Sequence, residues 1–577
     1  MRWRTGPDAP SRASTNRSGK LSRAAAMAWL AIVACHDDRP PPPSERAAEE
    51  AAVFAFADAT ESAGIAFRHR HYGTGERYMP ESMGFGAGWL DYDGDGWSDL
   101  VLVDGDATPG WSGAVRGSAL YRNLGDGRFE DVSAAASLPR GGYGMGLTAG
   151  DVDGDGDIDL YLTRFGPNAL LRNNGDGTYS EVTKEAMVGD PQWSTSAAFA
   201  DVDGDGDLDL YVANYVAFTY AEHKVCGDLR LGFAAYCHPD VYAGVPDSLY
   251  LNRGDGTFER AGAERLPKGD REWRETGKGL GVLVLDADDD GDPDLYVAND
   301  STPNFLWVND GTGRFEDLAP MRGLAFNGDG RSEAGMGVAS GDVDGDGDAD
   351  LMVTNLDLET NTLYAAEPSD FYVDRTFESG LGPPSWLKVG FGVSLADLDN
   401  DGWLDVAVSN GHIIDNIHLQ RDDMTHAQAN QLFRNLGGLR FAEAPVTGTP
   451  FTRPAVGRGL ATADYDRDGD LDLVFSNNDG PTVLARNDTT APGGWLRVRL
   501  RGRADGLGAR VEVTSAGRRL VAERRSASSY LSQDEGVLHF GLGGSAPSRL
   551  EVRWPSGLRQ RWLDPGSRRE LVLAERP

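Results

Sequence analysis

The chain has 577 residues, 75 of them glycine, and a formal net charge of −35 at pH 7. That length exceeds one ordinary compact domain and points to a repeat architecture or to several domains. The acidity argues against nucleic acid and anionic membrane surfaces as partners for the bulk of the protein, and cysteine usage is sparse, with Cys35, Cys226 and Cys237 alone.

The N-terminus reads as an export leader. Residues 2–23 carry six Arg or Lys against one Asp, and Ala24–Ala34 is an apolar run within signal-peptide range, too short to span a bilayer. The run ends Ile32-Val33-Ala34-Cys35, which resembles a bacterial lipobox. Residues 1–35 are therefore expected to be a signal peptide with lipobox, Cys35 the lipidation site, and 36–53 a flexible polar tether. Cleavage and secretion without a lipid is the alternative. The expected location is outside the cytoplasm, lipid-anchored at the cell envelope or secreted, and no other segment reads as membrane-spanning.

One phrase then dominates the chain, DVDGDGDID at Asp151–Asp159, followed by an apolar run. It recurs seven times with acidic residues at positions 1, 3, 5 and 9. The sets are Asp91, Asp93, Asp95 and Asp99; Asp151, Asp153, Asp155 and Asp159; and Asp201, Asp203, Asp205 and Asp209. Next come Asp286, Asp288, Asp290 and Asp294; then Asp342, Asp344, Asp346 and Asp350. Asp397, Asp399, Asp401 and Asp405, and finally Asp464, Asp466, Asp468 and Asp472, complete the series. Carboxylates at alternate positions of a tight loop converge, and four cannot do so without a cation. Oxygen-only ligands at this spacing match the first nine positions of an EF-hand-type calcium loop. No Glu stands at position 12, and the residues after position 9 read as a buried strand, so each is a calcium loop feeding a strand. About seven structural Ca2+ are expected, and one divalent ion per loop would cancel 14 of the 35 excess negative charges.

Before each loop lies a strand of glycine and small residues, such as GFGAGWL or GMGVASG. After it comes an apolar strand, then an outer hairpin such as LYRNLGDGRFEDVS with a Gly-Asp-Gly turn. Four short strands per repeat make a propeller blade. The predicted fold is therefore all-β, a seven-bladed calcium-binding β-propeller over 54–490 with a small C-terminal β-domain over 491–577. The seventh repeat breaks off at VLARND, just before its outermost strand is due, and a spare copy precedes the first repeat at Phe54–Thr60. That spare segment is expected to cross the ring and close the last blade. The tail differs in charge: from Gly494 to Pro577 there are 16 Arg against 9 Asp plus Glu, a net of +7, which leaves −42 for the rest. Those arginines face either the acidic propeller or an acidic polymer.

The repeats resemble the FG-GAP/VCBS repeats of integrin-α-type propellers, with GFGAG at Gly84–Gly88 close to the name-giving motif. The opening FRHRHYGTGERYMPESMGFGAGWLDYDGDG, the stretch ANDSTPNFLWVNDGTGRFEDLA and the tail from GGWLRVRLRG to RLEVRWPSG resemble the bacterial ASPIC/UnbV family, whose cartilage acidic protein-like members share this layout. The resemblance implies a calcium-binding propeller with a small β-domain in exported proteins. It implies extracellular-matrix or cell-surface binding as a class of role, and no established reaction.

Thirteen residues beyond each loop's first Asp stand Asp104, Arg164, Asn214, Asn299, Asn355, Asn410 and Asn477. In equivalent blades they fall on one face, beside irregular loops that carry the Cys226/Cys237 insertion and His412, so Asn214, Asn299, Asn355, Asn410, His412 and Asn477 are candidates for a ligand face. The plain alternative is that each Asn ends a strand and caps a turn. Cys226 and Cys237 are close enough in sequence to form a disulfide. Histidines form two groups, His69 and His71 ahead of Glu81, and His412, His418 and His426 among Asp415, Asp422 and Asp423. Neither fits a defined zinc spacing, and the serines of Ser526–Gln533 lack a nucleophile elbow. The expected function is a non-catalytic binding or adhesion scaffold for an extracellular glycan or protein. A calcium-dependent, lyase-like enzyme acting on acidic polysaccharide, with His412 or His69 as base, is the alternative.

Overall fold

The computed structural model describes residues 54–576 apart from 229, 231–232, 263, 268–276, 369 and 491–492. The expected leader, Cys35 and the tether over 36–53 lie outside the described residues. No helix among the described residues is long and apolar enough to cross a membrane.

The described chain is almost entirely β. Each repeat forms an antiparallel four-stranded sheet in simple meander order, beginning with Ala87–Leu90, Asp99–Leu102, Ala119–Asn123 and Phe129–Asp131 in the first blade. The innermost strands of seven such sheets touch one another in cyclic order, the seventh (Gly457–Ala463) lying against the first (Ala87–Leu90). The last blade takes its outer strand from the other end of the chain. Phe54–Asp58 pairs antiparallel with Val483–Asn487 and runs parallel to Val446–Thr447 on its other side. His69 reinforces this closure, its Nδ1 2.8 Å from the Val103 carbonyl of blade 1 and its Nε2 2.9 Å from Thr482 Oγ1 of blade 7.

The small residues of the inner strands have a steric cause. A Cβ on Gly281 would lie 2.6 Å from the Met336 carbonyl oxygen of the next blade, so a side chain there would push the blades apart. Away from the axis the blades widen, and apolar side chains fill wedges between neighbours. Trp89, Leu100, Tyr121 and Phe129 of the first blade pack on Ala461, Tyr465 and Leu484 of the seventh.

A hydrogen-bonded latch crosses these wedges. In every blade the position-9 carboxylate accepts the amide of its own position 2 through Oδ2, as Asp99 does from Tyr92 at 3.0 Å. Its Oδ1 accepts the amide of a residue near the end of the third strand, Asn123 in the first blade at 2.7 Å. In six blades that residue is an Asn. Asn123, Asn173, Asn252, Asn309, Asn435 and Asn487 each donate Nδ2 to the position-2 carbonyl of the preceding blade, at 2.7–2.9 Å. Blade 5 has Ala366 there, and Arg322 Nη1 instead donates to the waiting Ala287 carbonyl at 3.0 Å.

The tail folds as two packed sheets. One contains Gly494–Arg501 between Val537–Gly543 and Arg569–Ala574, and the other orders Arg518–Glu523, Arg510–Ser515, Pro547–Arg553 and Arg559–Leu563. Leu496, Val498, Val511, Val513, Leu550 and Trp554 form its core. Between the sheets' strands, Ser526–Glu535 enters the propeller axis, where Tyr530 and Leu531 are fully buried. Its polar groups bond to inner strands all round: Ser526 to Phe199, Ser529 to Val338 and Val393, Gln533 to Trp89 and Ala149, and Asp534 to Thr462.

If the latch joins the blades as described, Asn309→Ala, which strands the buried Val202 and Pro293 carbonyls, should cost about 1–3 kcal/mol in denaturant unfolding. Arg322→Met should cost a similar amount, and values within experimental error of zero for both would contradict the assignment.

Candidate functional site

In a meander blade, turns alternate between the two faces of the disc. The acidic loops, joining first to second strands, share one face, and the loops after the second strands share the other.

The acidic loops bring carboxylates of the expected sets together. Trios with oxygens within 4.8 Å of one another are Asp91, Asp93 and Asp99, with the same positions 1, 3 and 9 at Asp151, Asp201 and Asp342, and positions 1, 3 and 5 at Asp286. Position 5 also shapes the turn, accepting the amide two residues on, as Asp95 does from Trp97 and Asp155 from Asp157, both at 2.9 Å. Burial, opposed by backbone donors and reinforced by neighbouring carboxylates, pushes Asp99, Asp159, Asp209, Asp294 and Asp350 up to about 8. The same desolvation takes Asp151, Asp201 and Asp342 to about 6. Asp201, Asp203, Asp286, Asp288, Asp464 and Asp466 each keep a buried Oδ1 with no hydrogen-bond donor. Crowded hard oxygens that resist ionisation and lack donors fit a metal cation.

The tail sits on this face, and its arginines account for much of its positive charge. Arg499 lies 3.6 Å from Asp91 and Arg497 3.1 Å from Asp464, while Arg553 pairs with Asp286. Others reach loop carbonyls: Arg499 to Gly96, Arg503 to Asp205, Arg510 to Gly347 and Arg518 to Gly402. These six arginines of the tail face the acidic propeller, while others, such as Arg549 and Arg561, pair with carboxylates of the tail itself.

On the opposite face, the candidate Asn side chains are not offered to a ligand. Asn214, Asn299, Asn355, Asn410 and Asn477 are all 3% exposed or less. Each donates Nδ2 to a carbonyl of the loop it begins, at Pro246, Pro303, Thr360, Ala429 and Pro481 respectively. They hold the loops, which is the strand-ending role. His412 is equally sealed, its Nδ1 accepting the Ile414 amide and its Nε2 3.3 Å from Asp357. With His69 bonded at both ring nitrogens, neither proposed lyase base is free to meet a substrate. His418 is exposed. Cys226 and Cys237 are joined in a disulfide.

The two histidine groups, more than 300 residues apart in sequence, nonetheless meet at the mouth of the axis on this face. Arg77 forks onto Asp415 at 3.2 and 2.9 Å. Tyr236, inside the disulfide loop, donates to Glu81 Oε2 at 3.3 Å. A Cβ on Gly73 would fall 2.6 Å from Glu81 Oε2 and 2.7 Å from His71 Nδ1, so a side chain there would displace one or both of them. Desolvation pushes Glu81 up to about 7, and desolvation with the nearby Arg458 charge takes His426 down to about 4. The sequence signalled these residues by scarcity of histidine alone. It also contained, unremarked, the Asn of LYRN, LLRN, LYLN and LFRN that forms the latch.

Burial takes His69 down to about 4. The unfolded chain protonates this group near 6.5 while the fold keeps it neutral. Its contribution to stability is therefore present above 6.5 and is lost as pH falls towards 4, at up to about 1.4 kcal/mol per pH unit. Unfolding free energies between pH 4.5 and 7 should fall with acidity, and His69→Gln should remove about one proton's worth of that slope; an unchanged slope would contradict the burial argument.

Residues 500–577 match the family described as ASPIC and UnbV, and residues 91–162, 151–212, 237–297 and 286–353 match the FG-GAP-like repeat. Cartilage acidic protein 1 of Mus musculus is 28% identical over 510 residues, covering 83% of this chain and 71% of that protein. The Homo sapiens protein of the same name is 28% identical over 510 residues, with 83% and 70% covered. Among solved structures, an Agrocybe aegerita lectin described as specifically recognising non-reducing terminal N-acetylglucosamine is 16% identical, covers 69% of this chain and 87% of that one, and superposes with a TM-score of 0.38.

Proposed function

For a chain that carries FG-GAP-like repeats and an ASPIC/UnbV domain and is homologous to cartilage acidic protein 1, we propose an exported, calcium-stabilised propeller acting as a non-catalytic binding or adhesion scaffold for a glycan or protein. The observation that carries this reading is the division of labour between the two faces. The tail covers the acidic-loop face and fills the axis, so a macromolecular ligand has the opposite face to approach, where the loops of blades 1, 3 and 6 converge.

Calcium, when bound, supplies the positive charge that the converging carboxylates lack. Asp at positions 1, 3, 5 and 9 of each loop would hold it, the trios already converging being positions 1, 3 and 9, or 1, 3 and 5 in the Asp286 loop. Position 5 sets the turn, and the backbone donors to position 9 tie the loop to the third strand. Through the Asn latch, position 2 of six of the loops is also tied to the next blade. The ions thus support a rigid disc, and the irregular loops carry recognition. Export suits both calcium and the Cys226–Cys237 disulfide, with a lipid on Cys35 as the anchor.

The calcium-loaded protein should bind at least one extracellular-matrix protein or surface glycan saturably and without turnover, and replacing residues 412–427 by a short Gly-Ser linker should abolish that binding. Release of unsaturated uronate during incubation would overturn the non-catalytic reading. Cys35→Ala should shift the protein from the membrane to the soluble fraction, and retention on membranes would contradict the anchor.

A further inference from the structure

The mouth of the axis gathers side chains from four distant stretches. Arg77, Tyr78 and Glu81 come from the opening segment, Tyr220 and Tyr236 from the blade 3 insertion, Asp415, Asn416 and His426 from the blade 6 loop, and Asn478 from blade 7. Several of them are bonded across these stretches. Besides the Arg77–Asp415 fork and the Tyr236–Glu81 bond, Asn416 Nδ2 donates to the Ala234 carbonyl at 2.9 Å and Asn478 Nδ2 to the Glu81 carbonyl at 2.7 Å.

Three acceptors of the cluster lack donors, while one donor beside Phe165, Trp193 Nε1, lacks an acceptor. Glu81 Oε1, Asn416 Oδ1 and Asn478 Oδ1 are all buried acceptors without a donor, and Glu81 is only 2% exposed. A buried acceptor left unmatched is costly, so the site favours a ligand that brings donors. Above this layer Tyr236, Arg77, Asp415 and His426 are part-exposed. The cations present are already committed. Arg77 is neutralised by Asp415, and Arg458 donates to the Ser82, Gly411 and His412 carbonyls beneath. No guanidinium of this cluster is left for an anion. Beside the polar groups stands an aromatic wall, Tyr78 edge-on to Tyr220 at 4.8 Å and Phe165 to Tyr220 at 5.2 Å. Tyr236 covers Glu81 from a loop whose ends Cys226 and Cys237 are bonded together.

We infer that the mouth of the axis, between the aromatic wall and the Arg77–Asp415 pair, is a binding site for an uncharged, hydroxyl-rich saccharide. Hydroxyls supply the donors that the acceptors lack, and the apolar C–H face of a sugar ring packs on Tyr78 and Tyr220. The neutralised Arg77 disfavours uronates. This inference rests on the reading of the open face as the ligand face and narrows its ligand to one chemical class.

The test is calorimetric titration of the full-length, calcium-loaded protein with gluco-, manno- and galacto-oligosaccharides, a galacturonate hexamer and a glucosamine hexamer. At least one neutral oligosaccharide should bind, and Tyr220→Ala and Tyr236→Phe should each weaken it about tenfold or more, the order of 1.4 kcal/mol. Asp415→Asn frees the Arg77 charge and should shift preference towards the galacturonate hexamer, a gain that a merely damaged fold would not produce. Preference of the native protein for the uronate or glucosamine hexamer, or neutral binding unchanged in all three variants, would overturn the inference. Capture of a protein ligand by the same face with no sugar bound would sink the saccharide assignment and leave the scaffold reading standing. Loss of every ligand would sink both.

Discussion

The carboxylate at position 9 of each acidic loop is the constraint on which the disc depends. It is buried at the corner between the first and second strands, and both its oxygens are taken by backbone amides, one from its own loop and one from the third strand. The residue whose amide caps the loop at position 2 then offers its carbonyl to an Asn of the following blade in six cases, and in the remaining one, Ala287, to Arg322 of its own repeat. Loop, strand and neighbouring blade are therefore connected through a few atoms. Burial pushes the carboxyl group in that place up, to about 8 in the first blade, so a cation bound in the loop would be linked to the integrity of the ring.

The tail belongs to the same electrostatic scheme. Seven acidic loops on one face would repel one another, and the arginines of the tail lie across six of them. The segment Ser526–Glu535 fills an axis that inner strands of small residues leave lined with backbone groups. Its serines, Gln533 and Asp534 match those groups donor for acceptor, so the polar sequence SASSYLSQDE is a buried plug. One face of the disc is thereby given to structure and the other to loops.

Much of the architecture was legible in the chain. Alternating apolar residues around Gly-Asp-Gly turns gave the strands, and the missing outer strand of the last repeat pointed to Phe54–Asp58, because a closed ring leaves no strand unpaired. What escaped was information that lies between blades. The latch Asn is plain in the repeats, but only the neighbour's carbonyl gives it meaning. The Asn residues at the ends of second strands suggested a polar face, whereas their side chains turn back to hold loop carbonyls, since an extended strand must end with its backbone groups satisfied. Four carboxylates at alternate positions pointed to a cation loop, and trios of them converge, while position 5 also accepts the amide that shapes the turn. The meeting of Glu81, Tyr236 and Asp415 depends on three insertions folding over one axis, and nothing local in the sequence encodes it.

The measurement that bears most directly on this account is the melting temperature of the metal-stripped protein followed through a calcium titration at constant pH. Ions that bind the folded state alone must stabilise it by mass action. The account predicts a markedly lower melting temperature in the stripped protein and a saturable rise as calcium is restored. Identical melting with and without calcium would contradict it, and the acidic loops would then be turns closed by protons and arginines.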